Sequence, residues 1–183
     1  MPTRSTRSVP VLADEPIAKE FISADSLLRD SLALGMQIVR SAFNPTFLVG
    51  VWRGGAPIGI AVQEVLEFHG VECDHLAIRT SSYTGIARQS SEVRVHGIDY
   101  LVSRLTYEDR LLLIDDIFDS GRSLEALMQE LSRRCKRNLP DQIRIATVYF
   151  KPARNRTQLK PDFYVRATDD WLVFPHELKG LTR

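Results

Sequence analysis

Apolar and polar residues recur along this chain in two periods, and the switches between them mark its elements. From Ser23 onward Leu28, Leu32, Met36 and Val39 follow one another at helical spacing until Asn44-Pro45 stops the run, which predicts a packing helix. Phe47 to Val51, FLVGV, is an unbroken apolar run that leads at once into Trp52-Arg53-Gly54-Gly55. Continuous apolarity over a strand's length is the pattern of a strand buried on both faces. Pro57 suits the first turn of a second helix whose apolar face is Ile58, Ala61, Val62, Val65 and Leu66. Cys73 to Thr80 reads as a strand, followed by a polar segment from Ser81-Ser82-Tyr83 to Glu92 and a return strand at Val93 and Val95. On composition alone that segment is a solvated hairpin loop.

The same strand-to-loop-to-helix pattern returns in Leu111 to Leu124, LLLIDDIFDSGRSL. Leu111 to Ile114 make a buried strand that delivers two carboxylates, Asp115 and Asp116, at its carboxyl end. Asp119-Ser120-Gly121-Arg122-Ser123 then gives a tight loop with one glycine and two hydroxyls, and a helix follows with Leu124, Leu127, Met128, Leu131 and Cys135 on one face until Asn138-Leu139-Pro140. Such a loop can wrap backbone N–H groups around a phosphate while the helix start adds favourable partial charge. Adjacent carboxylates accept hydrogen bonds from vicinal hydroxyls, so the two halves together suit a ribose 5-phosphate. Either half alone would pass for an ordinary strand cap or turn.

Further on, Ile143 to Phe150 is another strand and runs into Lys151-Pro152, Arg154 to Lys160 reads as a basic surface loop, and Pro161 to Val165 and Trp171 to Pro175 are two short aromatic strands. Phe163 and Phe174 are expected in the core. Alternation of strands and helices predicts an α/β fold with a mainly parallel twisted sheet, its site at the carboxyl ends of the strands. Residues 1–18, rich in Ser, Thr, Arg and Pro and without periodicity, predict a flexible tail, with a transit peptide as the other reading. Residues 19–183 predict a single domain.

Composition narrows the partners. Lys and Arg number 24 against 23 Asp and Glu, for a formal net charge of +1 in 183 residues, which gives no overall attraction to nucleic acid or to a membrane surface. A local basic patch at Arg133, Arg134, Lys136 and Arg137 reads most simply as a solvated helix end. Cys73 and Cys135 have neither metal-ligand nor disulfide spacing, as expected of thiols in a reducing cytoplasm.

The LLLIDDIFDSGRSL stretch resembles the phosphoribosyl diphosphate (PRPP) motif of type I phosphoribosyltransferases, with Ser120 and Ser123 where Thr is usual. The resemblance extends over about residues 19–178 and implies that fold with a small hood formed by the chain ends, about 151–178. By it Asp115 and Asp116 hold the ribose hydroxyls, and Asp119, Ser120, Gly121, Arg122 and Ser123 cradle the 5-phosphate. Arg53 with Gly54 resembles the family's diphosphate loop, often preceded by a strained peptide, although Trp52 stands where a small residue is common. Ser82 and Tyr83 match the pair that opens a mobile loop over the reaction centre.

Asp119 is typical of the 6-oxopurine branch, where it handles the proton at N7 of the base. Lys151 falls where a lysine contacts O6, Trp171 where an aromatic ring stacks on the purine, and the backbone of Val173 where the base edge is read. The implied cofactor is Mg²⁺, with Asp115, Asp116 and Glu177 as its ligands. The implied reaction joins PRPP to hypoxanthine, guanine or xanthine, giving a nucleoside monophosphate and diphosphate, in a homodimer or homotetramer. A regulator that keeps the fold and binds PRPP or nucleotide without turnover, or a transferase for another base, are the alternatives.

Overall fold

The structure, a computed structural model, describes residues 19–84 and 91–177. In chain order the elements are β1 (Lys19–Phe21), α1 (Ala24–Arg40), β2 (Phe47–Trp52), α2 (Gly55–Phe68), β3 (Asp74–Thr84), β4 (Ser91–His96), α3 (Asp99–Arg104), β5 (Arg110–Phe118), α4 (Arg122–Cys135), β6 (Gln142–Phe150), β7 (Phe163–Ala167) and β8 (Trp171–Val173). Six strands form one sheet in the order β4-β3-β2-β5-β6-β7, with β3 and β4 antiparallel and the other pairs parallel. This is the mainly parallel α/β fold that the sequence predicts.

The unbroken apolar runs are explained by helices on both faces. Along β5, Leu112 and Ile114 join the core beneath α1 and α2, whereas Leu111 and Leu113 join the core beneath α3 and α4. In β2, Leu48 faces the first layer, and Phe47, Val49 and Val51 face the second. Successive side chains of a strand point to opposite faces, so a strand covered twice has no place for a polar residue.

The apolar face of α1 differs from the expected stripe. Leu28 is 55% and Leu32 39% exposed, Met36 and Val39 are half-buried, and the buried face carries Leu27, Asp30, Ser31, Leu34, Gly35 and Ile38. Both stripes step around the helix at the same average rate and are offset by one position, about 100° of rotation, so spacing alone does not choose between them. The small residues in that face matter, because a Cβ on Gly35 would stand 2.8 Å from the Val65 Cβ of α2. Both polar members are satisfied in place. The Ser31 hydroxyl donates to the Leu27 carbonyl at 2.7 Å, and Asp30 accepts from Nε of Arg166 in β7 at 2.7 Å.

The first and last strands, β1 and β8, pair in a second, two-stranded parallel sheet. Of the range 151–178 expected to form a hood, β7 is instead a strand of the main sheet, paired with β6, and β8 is the part that stands apart from it. Phe174 is buried, and Phe163 packs partly buried against the same core. Neither β1 nor α3 is announced by the apolar pattern, since both are short and mostly exposed.

The corrected face of α1 makes a direct prediction. Leu34→Ala, at a fully buried position, is expected to cost about 2–5 kcal/mol, whereas Leu28→Gln stays within about 0.5 kcal/mol of the parent. Urea unfolding of the two variants checks this.

Candidate functional site

The chain leaves β2 toward β3 on one side and β5 toward β6 on the other, although β2 and β5 are neighbours. Their carboxyl ends therefore open at a topological switch point, the place where open α/β sheets take ligands. Pairing between them runs from Phe47↔Leu111 to Gly50↔Ile114. Just beyond it lie Trp52-Arg53-Gly54-Gly55 on one strand and Asp115-Asp116 on the other, so the two loops singled out by sequence face each other. The Trp52–Arg53 peptide bond is cis.

The loops approach where side chains are missing. A Cβ on Gly54 would overlap the Asp116 carboxylate, and one on Gly55 would overlap the Ile114 carbonyl oxygen. Asp115 accepts backbone N–H bonds from Gly55 and from Asp116, the latter at 3.0 Å to Oδ1. Burial first, and the neighbouring Asp116 charge second, push the Asp115 carboxyl well above the usual carboxylate range despite those bonds. Hydroxyl donors or a cation at the pair would relieve that repulsion.

The loop after β5 is braced from the exit of β6. Gly121 has φ +77°, and a Cβ there would lie 2.6 Å from Thr157 Oγ1 and 2.7 Å from Phe118 Cζ, so only glycine fits. Arg156 donates its N–H to the Ser120 carbonyl at 3.0 Å, and Lys151 donates its own to Phe118 at 2.9 Å. Because α4 starts at Arg122, the N–H groups of its first turn have no intrahelical acceptor. With Ser120 and Ser123 they line a cleft of about 200 Å³ that runs from Asp115 to Leu124, an arrangement suited to an anion.

Asp119 sits between two cations. Arg154 Nε lies 2.9 Å from its Oδ1, and Lys151 Nζ lies 3.9 Å from its Oδ2. A lysine at a strand end is usually solvated, but Lys151 is 3% exposed, so Asp119 supplies its counter-charge inside the protein. The Arg154 to Lys160 segment, expected as a plain surface loop, therefore touches the site at Arg154 and Arg156. No periodicity in the sequence signals this.

The remaining expected residues are placed less uniformly. Trp171 leaves 45% of its surface open, and the Val173 carbonyl already accepts the Ile22 N–H at 2.9 Å, which occupies one of its lone pairs. Ser82 and Tyr83, expected to open a mobile loop, have their backbones within β3, opposite Val93 and Glu92; their side chains and residues 85–90 lie outside the described residues, as do residues 1–18.

Glu177 does not join Asp115 and Asp116. Its carboxylate accepts from the Phe174 N–H at 3.4 Å, and the residue before it, His176, reaches Asp116 instead, with Nε2 3.0 Å from Oδ2. Among the described residues no three Asp, Glu, His or Cys side chains converge on one point as metal ligands. What the chain offers a cation is the Asp115 and Asp116 pair, which fits Mg²⁺ held by one or two carboxylates and completed by water and substrate oxygens.

Residues 23–179 match the model of the phosphoribosyl transferase domain. The hypoxanthine-guanine phosphoribosyltransferase of Lactococcus lactis is 28% identical over 153 residues, 82% of this chain and 76% of that protein. The xanthine-guanine phosphoribosyltransferase of Desulfotalea psychrophila is 28% identical over 160 residues, 87% of this chain and 86% of that protein. Among solved structures, the purine phosphoribosyltransferase of Pyrococcus horikoshii shares the fold with a TM-score of 0.68 and 24% identity, over 90% of this chain and 98% of that one.

The Asp115 environment predicts a pH-dependent stability. The native state keeps a proton on Asp115 at pH values where an unfolded carboxyl, titrating near 3.8, has lost it. Native stability therefore falls as pH rises from that value through the raised native one, and stays lowered above it. Asp115→Asn removes the penalty, so its thermal midpoint by circular dichroism is expected above the parent's at neutral pH, with the gap closing below the ordinary carboxylate range. A variant less stable than the parent at neutral pH would contradict this.

Proposed function

The chain belongs to the phosphoribosyl transferase domain family, and from that premise we propose that it is a purine-salvage enzyme, transferring ribose 5-phosphate from PRPP to N9 of a 6-oxopurine and releasing diphosphate. The observation that carries this reading is the packing of the Gly54 loop onto Asp116, beside the anion cradle of residues 119–123. Those three parts correspond to the three parts of PRPP. Arg53 and the Gly54 backbone receive the diphosphate, Asp115 and Asp116 accept from the ribose 2- and 3-hydroxyls, and Ser120 to Ser123 hold the 5-phosphate.

In the reaction the bond from ribose C1 to the diphosphate oxygen breaks, with its electron pair leaving on diphosphate, and N9 of the base forms the new bond to C1. The paired carboxylates stabilise positive charge as it develops on the ribose. Asp115 and Asp116 are the residues that would hold Mg²⁺, which would supply charge neutralisation to the departing diphosphate.

The spacing of Asp119 and Lys151 supports a 6-oxopurine. N7 and O6 lie side by side on one edge of such a base. A carboxylate oxygen 3.9 Å from a buried ammonium can accept the N7 proton while the ammonium donates to O6. A 6-amino group would turn its own N–H toward that ammonium. Trp171 offers a flat, half-open ring for the face of the base. The names of the Lactococcus and Desulfotalea relatives, hypoxanthine-guanine and xanthine-guanine phosphoribosyltransferase, support a purine acceptor.

The test is diphosphate release with PRPP, Mg²⁺ and a panel of bases. Turnover is expected with at least one of hypoxanthine, guanine and xanthine and not with adenine or orotate. Asp119→Asn is expected to lower it roughly 10²- to 10⁴-fold, the usual contribution of a general base. Tight PRPP binding without turnover on any base would overturn the reading.

A further inference from the structure

After β8 the chain turns through Pro175 into His176, which lies on the site side of the small sheet. Its ring stacks on the buried Phe174, with centroids 5.3 Å apart and planes at 14°. Nε2 meets Asp116 Oδ2 at 3.0 Å across a sequence separation of 60. Nδ1 is buried without a hydrogen-bond partner, so the contact with Asp116 is the ring's polar tie among the described residues.

The same carboxylate packs against the backbone at Gly54, where a Cβ would overlap it. A carboxylate at a strand end is otherwise free to turn about its broad terminal torsion. Occupation of Oδ2 by an N–H donor fixes that torsion and with it the direction in which the carboxylate presents its remaining lone pairs. We propose that His176 is a positioning residue, which orients Asp116 against the Gly54 loop for the ribose of PRPP and ties the β1 and β8 sheet to that carboxylate. The inference rests on the reading of this cleft as a PRPP site.

The chemistry specifies what a replacement must keep. Phenylalanine preserves the stack on Phe174 and removes the donor. Asparagine keeps polarity but is too short to reach from the same backbone position. Glutamine places an Nε2–H group at the distance of the histidine Nε2. A residue that served only to pack the small sheet would tolerate phenylalanine and would disturb base and PRPP binding together, because Trp171 and Val173 stand on the adjoining strand.

The experiment is calorimetric titration of the full chain and of His176→Phe, His176→Asn and His176→Gln with PRPP and Mg²⁺. It is paired with Michaelis constants for PRPP and base, and with thermal midpoints. The expected result is PRPP affinity lowered about tenfold or more in His176→Phe and His176→Asn, as follows from a binding carboxylate displaced from its productive orientation. The base Michaelis constant should stay near the parent's, the midpoint should fall only by the loss of one hydrogen bond to a charged group, and His176→Gln should recover most of the lost affinity.

PRPP binding as tight as the parent's in either the phenylalanine or the asparagine variant overturns the proposal, and so does a loss of base binding as large as the loss of PRPP binding. The asparagine variant keeps the test valid should the phenylalanine variant not fold. A parent that binds no PRPP marks a different failure, that of the functional reading itself, and takes this inference with it.

Discussion

No side chain can stand at Gly54 or Gly55 while Asp116 and the end of β5 keep their places. That absence lets the β2 loop lie directly on the β5 acids, and the rest of the site depends on it. With the two loops separated by even one methyl group, backbone N–H groups and carboxylates would not share a cleft. The parallel pairing of β2 and β5 sets the approach, since their ladder ends at Gly50↔Ile114 and both chains part there. Glycine in this position is thus a packing requirement with a chemical result.

Charge around the cleft is divided by region. Asp115 and Asp116 form an anionic floor whose mutual repulsion and burial raise the Asp115 pKa. Beside it Arg53 is exposed, and Lys151 and Arg154 flank Asp119 at 3.9 Å and 2.9 Å. A ligand with adjacent hydroxyls flanked by phosphates matches this alternation, because its hydroxyls donate and its phosphates accept. Neither half of the cleft alone would favour such a molecule over a simple anion or cation.

The first and last strands contribute through the small β1 and β8 sheet. It places Trp171 half-open and carries His176 to Asp116, so the small sheet is linked by one hydrogen bond to the carboxylates at the end of β5. The main sheet is meanwhile fixed to α1 by the Asp30 and Arg166 pair. These polar ties join segments far apart in sequence, which neither local propensity nor apolar periodicity specifies.

Apolar patterning alone specified the strands β2, β5 and β6, the helices α2 and α4 and the mainly parallel sheet, because a strand covered on both faces must be apolar throughout and an amphipathic helix must repeat its apolar residues. The sequence also marked Arg53, Gly54, Asp115, Asp116 and the 119–123 loop, whose residue types are unusual directly after such strands. Tertiary structure decided what those residues meet. The buried face of α1 was set by contact with α2, where Gly35 admits Val65, and with β7 through Asp30, neither of which the Leu28 and Leu32 spacing reveals. The partners of Asp119 and Asp116, Arg154 and His176, lie in segments without periodicity. Their roles are fixed by distances that exist only once the sheet has brought separate loops to one edge.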